Sequence, residues 1–381
     1  MGGVQEQVGS GTFVVKAFNI SSRDTLPIGI DLGSSAAKLA QLRLLKDGLE
    51  LLALGKIEKP QDIGDNLLTR LDFLAQNIPR VLKASQFKGR RCILSLPAEH
   101  TFVRHVKVPK LDPQATALAV RKATQSELPY PINEAVVRHV IAGDVHCEGG
   151  TRQEVIAVAV PLATMDAYLE MTNRVGLEVV GVNVEPLTLV HCFSSLFDWG
   201  ADPAKAVLYV DMGSVSTQVV IAHGPDVAFA RNLPRGSRQL VQAVAENTAV
   251  PPEQECKVPP DVQEREGYVD CKTLAQQAEE WVEATSQNIE HCLRYYEAVF
   301  RKSSVERIVF TGGQARDRGI CQLLAKRLNL PAQIGNPAAA MQIGQNAANV
   351  LGQDEQANPS LAVAIGLSLG GLKENLPRKI A

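Results

Sequence analysis

The sequence predicts an α/β protein of two similar lobes facing each other across an anion-binding cleft. The first observation is a duplication. Residues 28–32 (Ile-Gly-Ile-Asp-Leu) and 208–212 (Leu-Tyr-Val-Asp-Met) are apolar strands, and each runs into Asp-x-Gly-Ser, at Asp31–Ser34 and at Asp211–Ser214. The second is a run of strand-like residues after each motif, 38–42 and 217–221, so each motif sits in a tight hairpin turn. The third is a further strand end, Val309-Phe310-Thr311-Gly312-Gly313, placed before a helical stretch. Turns of Gly and Ser let main-chain N–H groups approach and cradle an anion, and a carboxylate at a strand end can hold a metal through water. Two such turns on two halves of one chain describe a clamp for a phosphate chain.

Each element has a local signature. Residues 1–26 are rich in Gly, Ser and Gln with one short apolar run, and they read as a flexible leader. From residue 28 the pattern is strand, phosphate-type turn, strand, and then a Lys46-Asp47-Gly48 turn into a strand over 49–57. Leu67, Leu71, Leu74, Ile78, Val81 and Leu82 recur at helical spacing, and 92–96 is a short buried strand. Residues 97–181 read as a separate α/β insert between Pro97 and Gly181: a strand at 102–108 whose alternation Val103 blurs, a helix at 113–128, strands at 136–142 and 154–160, and a helix at 162–175. The second half repeats the first, with strands at 206–231 and a helix at 236–248. After a Pro-rich loop at 251–268 comes a long helix at 273–300, whose stripe from Leu274 to Val299 reads as core packing. The expected organisation is a first lobe of 27–96 and 182–205, with 361–381 packing back on it. A second lobe of 206–360 includes a helical and loop subdomain at about 237–302. The small-residue helix 361–372 is expected to pack closely against another backbone.

Composition narrows the function classes. A chain of 381 residues can bury two or three domain cores. The net charge of -2 and the lack of basic stretches interleaved with aromatic residues argue against nucleic acid as a partner. No apolar run approaches the roughly 18 residues needed to span a bilayer, and no secretory pattern opens the chain. The seven cysteines include no C-x-x-C pair, which fits free thiols in a reducing compartment. A cytoplasmic protein without direct membrane insertion is expected. Neither a P-loop lysine motif nor a dinucleotide glycine pattern is present.

The order of motifs is specific. Strand–Asp-x-Gly-Ser, Val184-Glu185-Pro186, a second Asp-x-Gly-Ser, Gly312-Gly313 and the closing Ala362-Val-Ala-Ile-Gly366 helix resemble the superfamily of actin, DnaK-type chaperones and sugar kinases. That resemblance implies an actin-like ATPase fold of two ribonuclease-H-like lobes. Within it, Leu94-Ser-Leu-Pro97, Val106-Lys-Val-Pro109-Lys-Leu111, Glu127-Leu-Pro-Tyr-Pro131-Ile132, Tyr168-Leu-Glu170, Val175-Gly-Leu-Glu-Val179 and Gly181-Val-Asn-Val-Glu-Pro186 resemble the PilM family of type IV pilus assembly proteins, itself similar to the division protein FtsA. The likeness covers residues 27–372.

The resemblance implies roles residue by residue. Gly33, Ser34 and Ser35 cradle one end of a nucleotide's phosphate chain, with Lys38 offsetting its charge, while Gly213, Ser214, Ser216 and Thr217 face it from the other lobe. Asp31 and Asp211 hold Mg2+ through water. Gly236, Ser237, Gly312, Gly313 and Arg316 lie against the nucleoside of ATP. Glu185 reads either as the group orienting an attacking water, with at most slow ATP hydrolysis, or as a capping or ion-paired carboxylate at a helix start. The implied partner is the N-terminal cytoplasmic tail of a PilN-like bitopic membrane protein, with pilus motor ATPases as further partners, and recruitment to the inner face of the inner membrane. The alternatives are an FtsA-like division or filament scaffold and a small-molecule kinase. The first would use a C-terminal amphipathic helix, which 370–381 does not offer. The second would need an acid/base carboxylate in a second-substrate pocket, for which no local pattern is found.

Overall fold

The computed structural model describes residues 13–14, 25–60, 63–64, 66–147, 150–194, 205–239, 271–300, 304–351 and 358–373. In chain order, β1 (Phe13–Val14), β2 (Ile28–Leu32), β3 (Ala36–Leu45), β4 (Gly48–Glu58), α1 (Leu67–Ala84) and β5 (Arg91–Ser95) open the first lobe. The insert contributes β6 (Phe102–Pro109), α2 (Pro113–Gln125), β7 (Ala135–Cys147) and β8 (Gly150–Pro161). Then come α3 (Leu162–Arg174), β9 (Glu178–Asn183) and α4 (Glu185–Phe193). The second lobe holds β10 (Lys205–Met212), β11 (Thr217–His223), β12 (Asp226–Leu233), α5 (Cys271–Val299), β13 (Ser304–Thr311), α6 (Arg318–Leu328) and β14 (Ala332–Ile334). The chain closes with β15 (Met341–Ile343), α7 (Gln345–Leu351) and α8 (Ala362–Lys373).

Local sequence explains the element ends. Asn66 accepts from Thr69 N at the start of α1, whose Leu71, Leu74 and Ile78 are buried against the sheet. Asp112 caps α2 with Pro113 in its first turn, and Asp317 caps α6, which stops at Asn329 in the left-handed conformation.

The two lobes share one strand order. The first-lobe sheet runs β1-β9-β5-β2-β3-β4-β15 and the second β12-β11-β10-β13-β14. Each central strand, β2 or β10, pairs antiparallel with the strand after it and parallel with the strand across, β5 or β13. α1 and α3 cover one face of the first sheet through Leu71, Leu74, Ile78, Met165, Tyr168 and Met171. α5 and α6 cover the far face of the second through Trp281, Ile289, Cys292, Tyr296, Ile320 and Leu324. Between the sheets lies the main core, in which Leu189, Val190 and Phe193 of α4 and Val363, Ile365 and Leu367 of α8 meet Val207, Tyr209 and Val220 of the second lobe.

The expected close approach of 361–372 is found, and its cause is steric. A Cβ on Gly29 would lie 2.0 Å from Ala364 O, and one on Gly366 would lie 2.3 Å from Thr188 O. β2, α8 and α4 therefore touch backbone to backbone. Ser368 Oγ, fully buried, accepts from Leu42 N at 3.1 Å and donates to Pro27 O at 2.8 Å, which fixes the helix on the sheet.

Three expectations are corrected. The insert ends near 161 rather than 181, because α3 packs against α1 and β9 pairs parallel with β5 in the first-lobe sheet. Residues 341–351 leave the second lobe, since β15 pairs with β4 and α7 packs on it. Leader residues Phe13–Val14 pair antiparallel with Val182 and Gly181 of β9, so this part of 1–26 joins the sheet. The expected 236–248 helix begins at 237–239, and its remainder, like the 251–268 loop, lies outside the described residues.

The insert is a three-stranded sheet, β6-β8-β7, with α2 on one face. Val106 and Val108 face α2, whereas Val103, Ile156 and Val158 join the main core with Val227 and Ala230 of the second lobe. Both faces are covered, which is why Val103 blurs the strand period. At this contact His105 stacks on Phe229 with centroids 4.7 Å apart and takes a hydrogen bond from Ala230 N at 3.2 Å. The buried Glu154 carboxylate lies 3.0 Å from His105 Nδ1 and accepts from Tyr295 Oη of α5. The insert thus belongs to the first lobe by sequence and rests on the second by packing.

Gly29→Ala is expected to cost about 2–3 kcal/mol, because a backbone carbonyl cannot step aside as a side chain can. Urea unfolding measures it, and a change below about 0.5 kcal/mol, the range of ordinary surface substitutions, would contradict the packing described.

Candidate functional site

The two Asp-x-Gly-Ser turns face each other across a cleft of about 430 Å³ between the lobes. Their geometry is matched. A Cβ on Gly33 would lie 2.9 Å from Ala36 O, and one on Gly213 would lie 2.9 Å from Ser216 O. Gly213 N donates to Ser216 O at 2.9 Å, closing the second turn. Gly312 joins them from the end of β13. Its φ of +87° and the 2.4 Å from its missing Cβ to Met212 O admit only glycine, so this loop lies directly on the end of β10.

Charge is concentrated at the cleft floor. Lys38, opposite Asp31 in the β2–β3 register, places Nζ 2.8 Å from Asp31 Oδ2. Across the cleft, Thr311 Oγ1 donates to Asp211 Oδ1 at 2.8 Å. Glu185, the first residue of α4, enters between them. Burial raises the Glu185 carboxyl well above its ordinary range, and the Asp31 and Asp211 charges raise it further. Asp211 is pushed up to about 6, by burial against the opposing help of the Thr311 hydrogen bond and Lys38. Burial pulls the Lys38 ammonium down, but Asp31, Asp211 and Glu185 together outweigh it and raise the group above its ordinary value. Without a ligand, burial and the neighbouring carboxylates thus favour the protonated form of Glu185, while the surrounding carboxyl groups favour the charged form of Lys38.

Most of the anticipated residues come together here. Asp31, Gly33, Ser34, Ser35, Lys38, Glu185, Asp211, Gly213, Ser214, Ser216, Ser237, Gly312, Gly313 and Arg316 all line the cleft. Thr217 and Gly236 do not. The Thr217 hydroxyl, fully buried, donates to Arg235 O at 2.7 Å, and a Cβ on Gly236 would strike Ser214 O at 2.3 Å. Both support the second turn from behind. Lys56, Glu58, Gln218, Gln314 and Ser360 also line the cleft and carry no local motif.

Arg70 was not anticipated either. Only 5% exposed on α1, it donates to the carbonyls of Leu32, at 2.7 Å, and Gly33, and pairs with Glu99 at 2.6 Å. It holds the first turn by its carbonyls, which leaves the turn's N–H groups for the cleft. One signal existed: Arg70 lies four residues before Leu74, on the buried stripe, where a charge needs partners.

The fit to a nucleotide can be judged from these groups. The cavity is of the size that takes a small ligand. Glycine turns and a buried lysine suit phosphate, and aspartates at the two strand ends suit a hard divalent cation. Among the described residues no three His, Cys, Asp or Glu side chains converge as direct metal ligands, so a cation here would be held largely through water and phosphate oxygens. Also among the described residues, no helix is long and apolar enough to cross a membrane.

A family model described as type IV pilus assembly protein PilM matches residues 29–372, and the chain belongs to that family. The structure superimposes on a PilM–PilN type IV pilus biogenesis complex with a TM-score of 0.73 at 20% identity, covering 91% of this chain and 98% of that one. The two-lobed fold is that of the matching chain in this complex. Lower similarities include the ethanolamine utilization protein EutJ from Carboxydothermus hydrogenoformans, with a TM-score of 0.49 at 13% identity over 94% of this chain and 92% of that one. The archaeal actin homolog Ta0583 in complex with ADP gives 0.45 at 14% identity over 91% and 99%.

Two outcomes are expected. Arg70→Met should cost about 3 kcal/mol in urea unfolding by stranding Glu99 and two carbonyls, and Arg70→Lys should recover only part, because an ammonium cannot serve three divergent acceptors. Asp211 has a folded pKa of about 6 against an ordinary 3.8, so its protonated form is the one favoured in the fold. Its contribution is complete below about pH 4 and is lost as pH rises through about 6. Asp211→Asn should therefore stabilise the ligand-free protein above pH 6 by about 1 kcal/mol, after allowance for solvent in the cleft, and by nothing at pH 4. Thermal unfolding at the two pH values checks the sign.

Proposed function

We propose that the cleft binds Mg-ATP between the lobes and that the bound nucleotide sets the conformation in which this PilM-family protein engages a membrane partner. The observation that carries this reading is the matched pair of glycine turns, each below an aspartate-tipped strand, with a buried lysine between them. On this reading Gly33, Ser34 and Ser35 hold one end of the phosphate chain and Gly213, Ser214 and Ser216 the other. Lys38 offsets the phosphate charge. Asp31 and Asp211 hold Mg2+ through its water shell, and Gly312, Gly313 and Arg316 lie along the nucleoside, with Ser237 nearby. The metal would supply charge neutralisation of the phosphates.

Burial and the Asp31 and Asp211 charges shift Glu185 toward its protonated form, which weakens it as an acceptor for the proton of an attacking water. Hydrolysis is therefore expected to be slow, and the protein would act as a nucleotide-dependent assembly factor. The partner proposed is the cytoplasmic N-terminal tail of a PilN-like inner-membrane protein, by analogy with the PilM–PilN complex of similar fold. Such a tail would bring the protein to the inner face of the inner membrane. The packing of the insert against both lobes supports a coupling: a change in cleft opening must shift the His105–Glu154–Tyr295 contact.

Calorimetry with Mg-ATP and Mg-ADP tests the first part, and absence of saturable binding would sink it. A cation entering the cleft opposes the upward shifts of Glu185 and Asp211. Binding should therefore be linked to proton release, seen as a dependence of the measured heat on buffer ionisation enthalpy, and Glu185→Gln should reduce that release. A synthetic PilN-type tail should bind with an affinity that differs between nucleotide-loaded and nucleotide-free protein. Equal affinity in both states would reject the coupling.

A further inference from the structure

Besides Lys38, the first lobe places two cations at the cleft: Lys59, just past the end of β4, which donates to Gly64 O at 2.7 Å, and Lys56 on β4. Strand register sets Asp31 opposite Lys38 and Lys38 opposite Lys56. Directly paired residues project to one face of a sheet, so the three side chains form a single row. All three line the cleft. The equivalent row in the second lobe is Asp211, Gln218 and Asn232, which carries no cation. Both ammonium groups of the paired rows thus come from one side.

The two lysines are held differently. Lys38 is largely buried and bound to Asp31, whereas the Lys56 side chain is 45% exposed and reaches Glu58, two residues along the same face, at 2.6 Å. A pair so exposed holds weakly in water. A terminal phosphate offers more charge and three acceptor oxygens, so it competes well for the same ammonium. Glu58 does not thereby become an isolated charge. Its carboxyl lies below its ordinary range chiefly through the Lys56 hydrogen bond and charge, with a further contribution from the Arg316 guanidinium of the second lobe.

Resting on the nucleotide-binding reading above, we propose that Lys56 distinguishes nucleoside triphosphate from diphosphate: it leaves Glu58 for the third phosphate and finds no such partner on a diphosphate. Lys38 serves both nucleotides alike, because Asp31 anchors it at the base of the first turn. Lys56 then gives the cleft its dependence on nucleotide state.

The test is isothermal titration calorimetry of the full chain with Mg-ATP and Mg-ADP, for the unmodified protein, Lys56→Gln and Lys56→Arg. Lys56→Gln should weaken ATP binding about tenfold and ADP binding less than about twofold, as expected for loss of one charge-assisted contact to the third phosphate alone. Lys56→Arg should restore most of the ATP affinity. Equal weakening of both nucleotides, or no weakening of either, would overturn the proposal while leaving nucleotide binding intact. If the unmodified protein binds neither, the nucleotide reading fails and this proposal with it. Thermal unfolding should show both variants folded, since the side chain stands at the cleft surface.

Discussion

Three carboxyl groups, Asp31, Asp211 and Glu185, share one largely buried ammonium, that of Lys38, at the floor of the interlobe cleft. In a poorly solvated site that imbalance cannot stand as three bare charges. It is relieved by a raised Asp211, a strongly raised Glu185 and a short Asp31–Lys38 pair. On the proposed reading, a divalent cation with an anion beside it would supply the missing positive charge and give Lys38 a second partner. Much of the surrounding structure works to keep these groups in place.

The support is a duplication read at the level of hydrogen bonds. Asp31 and Asp211 end the central strands of sheets with one strand order, and each faces a hydroxyl residue on the parallel neighbour, Ser95 or Thr311. The hydroxyls have diverged in use. Thr311 bonds Asp211, whereas Ser95 Oγ is buried with no hydrogen-bond partner among the described residues and Asp31 turns to Lys38 instead. One shared geometry thus yields an aspartate paired with a cation and an aspartate held by a neutral donor.

The lobes meet through α4 and α8, which lie between the two sheets. The backbone contacts at Gly29 and Gly366 leave α8 no room to slide on the first lobe. Relative movement of the lobes must therefore be taken up elsewhere, and the insert lies across that path. It leaves the first lobe at the segment carrying Glu99, which Arg70 ties to the first turn, and it rests on β12 and α5 through a buried polar cluster. The first Asp-x-Gly-Ser turn and the subdomain that touches the opposite lobe are joined by one guanidinium.

The sequence by itself determined the two-lobed α/β fold, the two Asp-x-Gly-Ser turns, the Gly312-Gly313 strand end and the close-packing closing helix. These are local: a strand, a turn and its glycines lie within a dozen residues, and periodicity exposes them. Lys38 was singled out through the resemblance to the actin superfamily, and its pairing with Asp31, seven residues away, was decided by the strand register. The tertiary structure alone decided that Thr217 and Gly236 support a turn from behind, that Arg70 and Lys56 belong to the site, and that α3, β9 and β15 belong to the first lobe. Each of these depends on pairing between strands, or on contacts between segments, far apart in the chain. Which face a residue turns to the cleft, and which hydrogen bond claims it first, is set by that register and by nothing in its immediate neighbours.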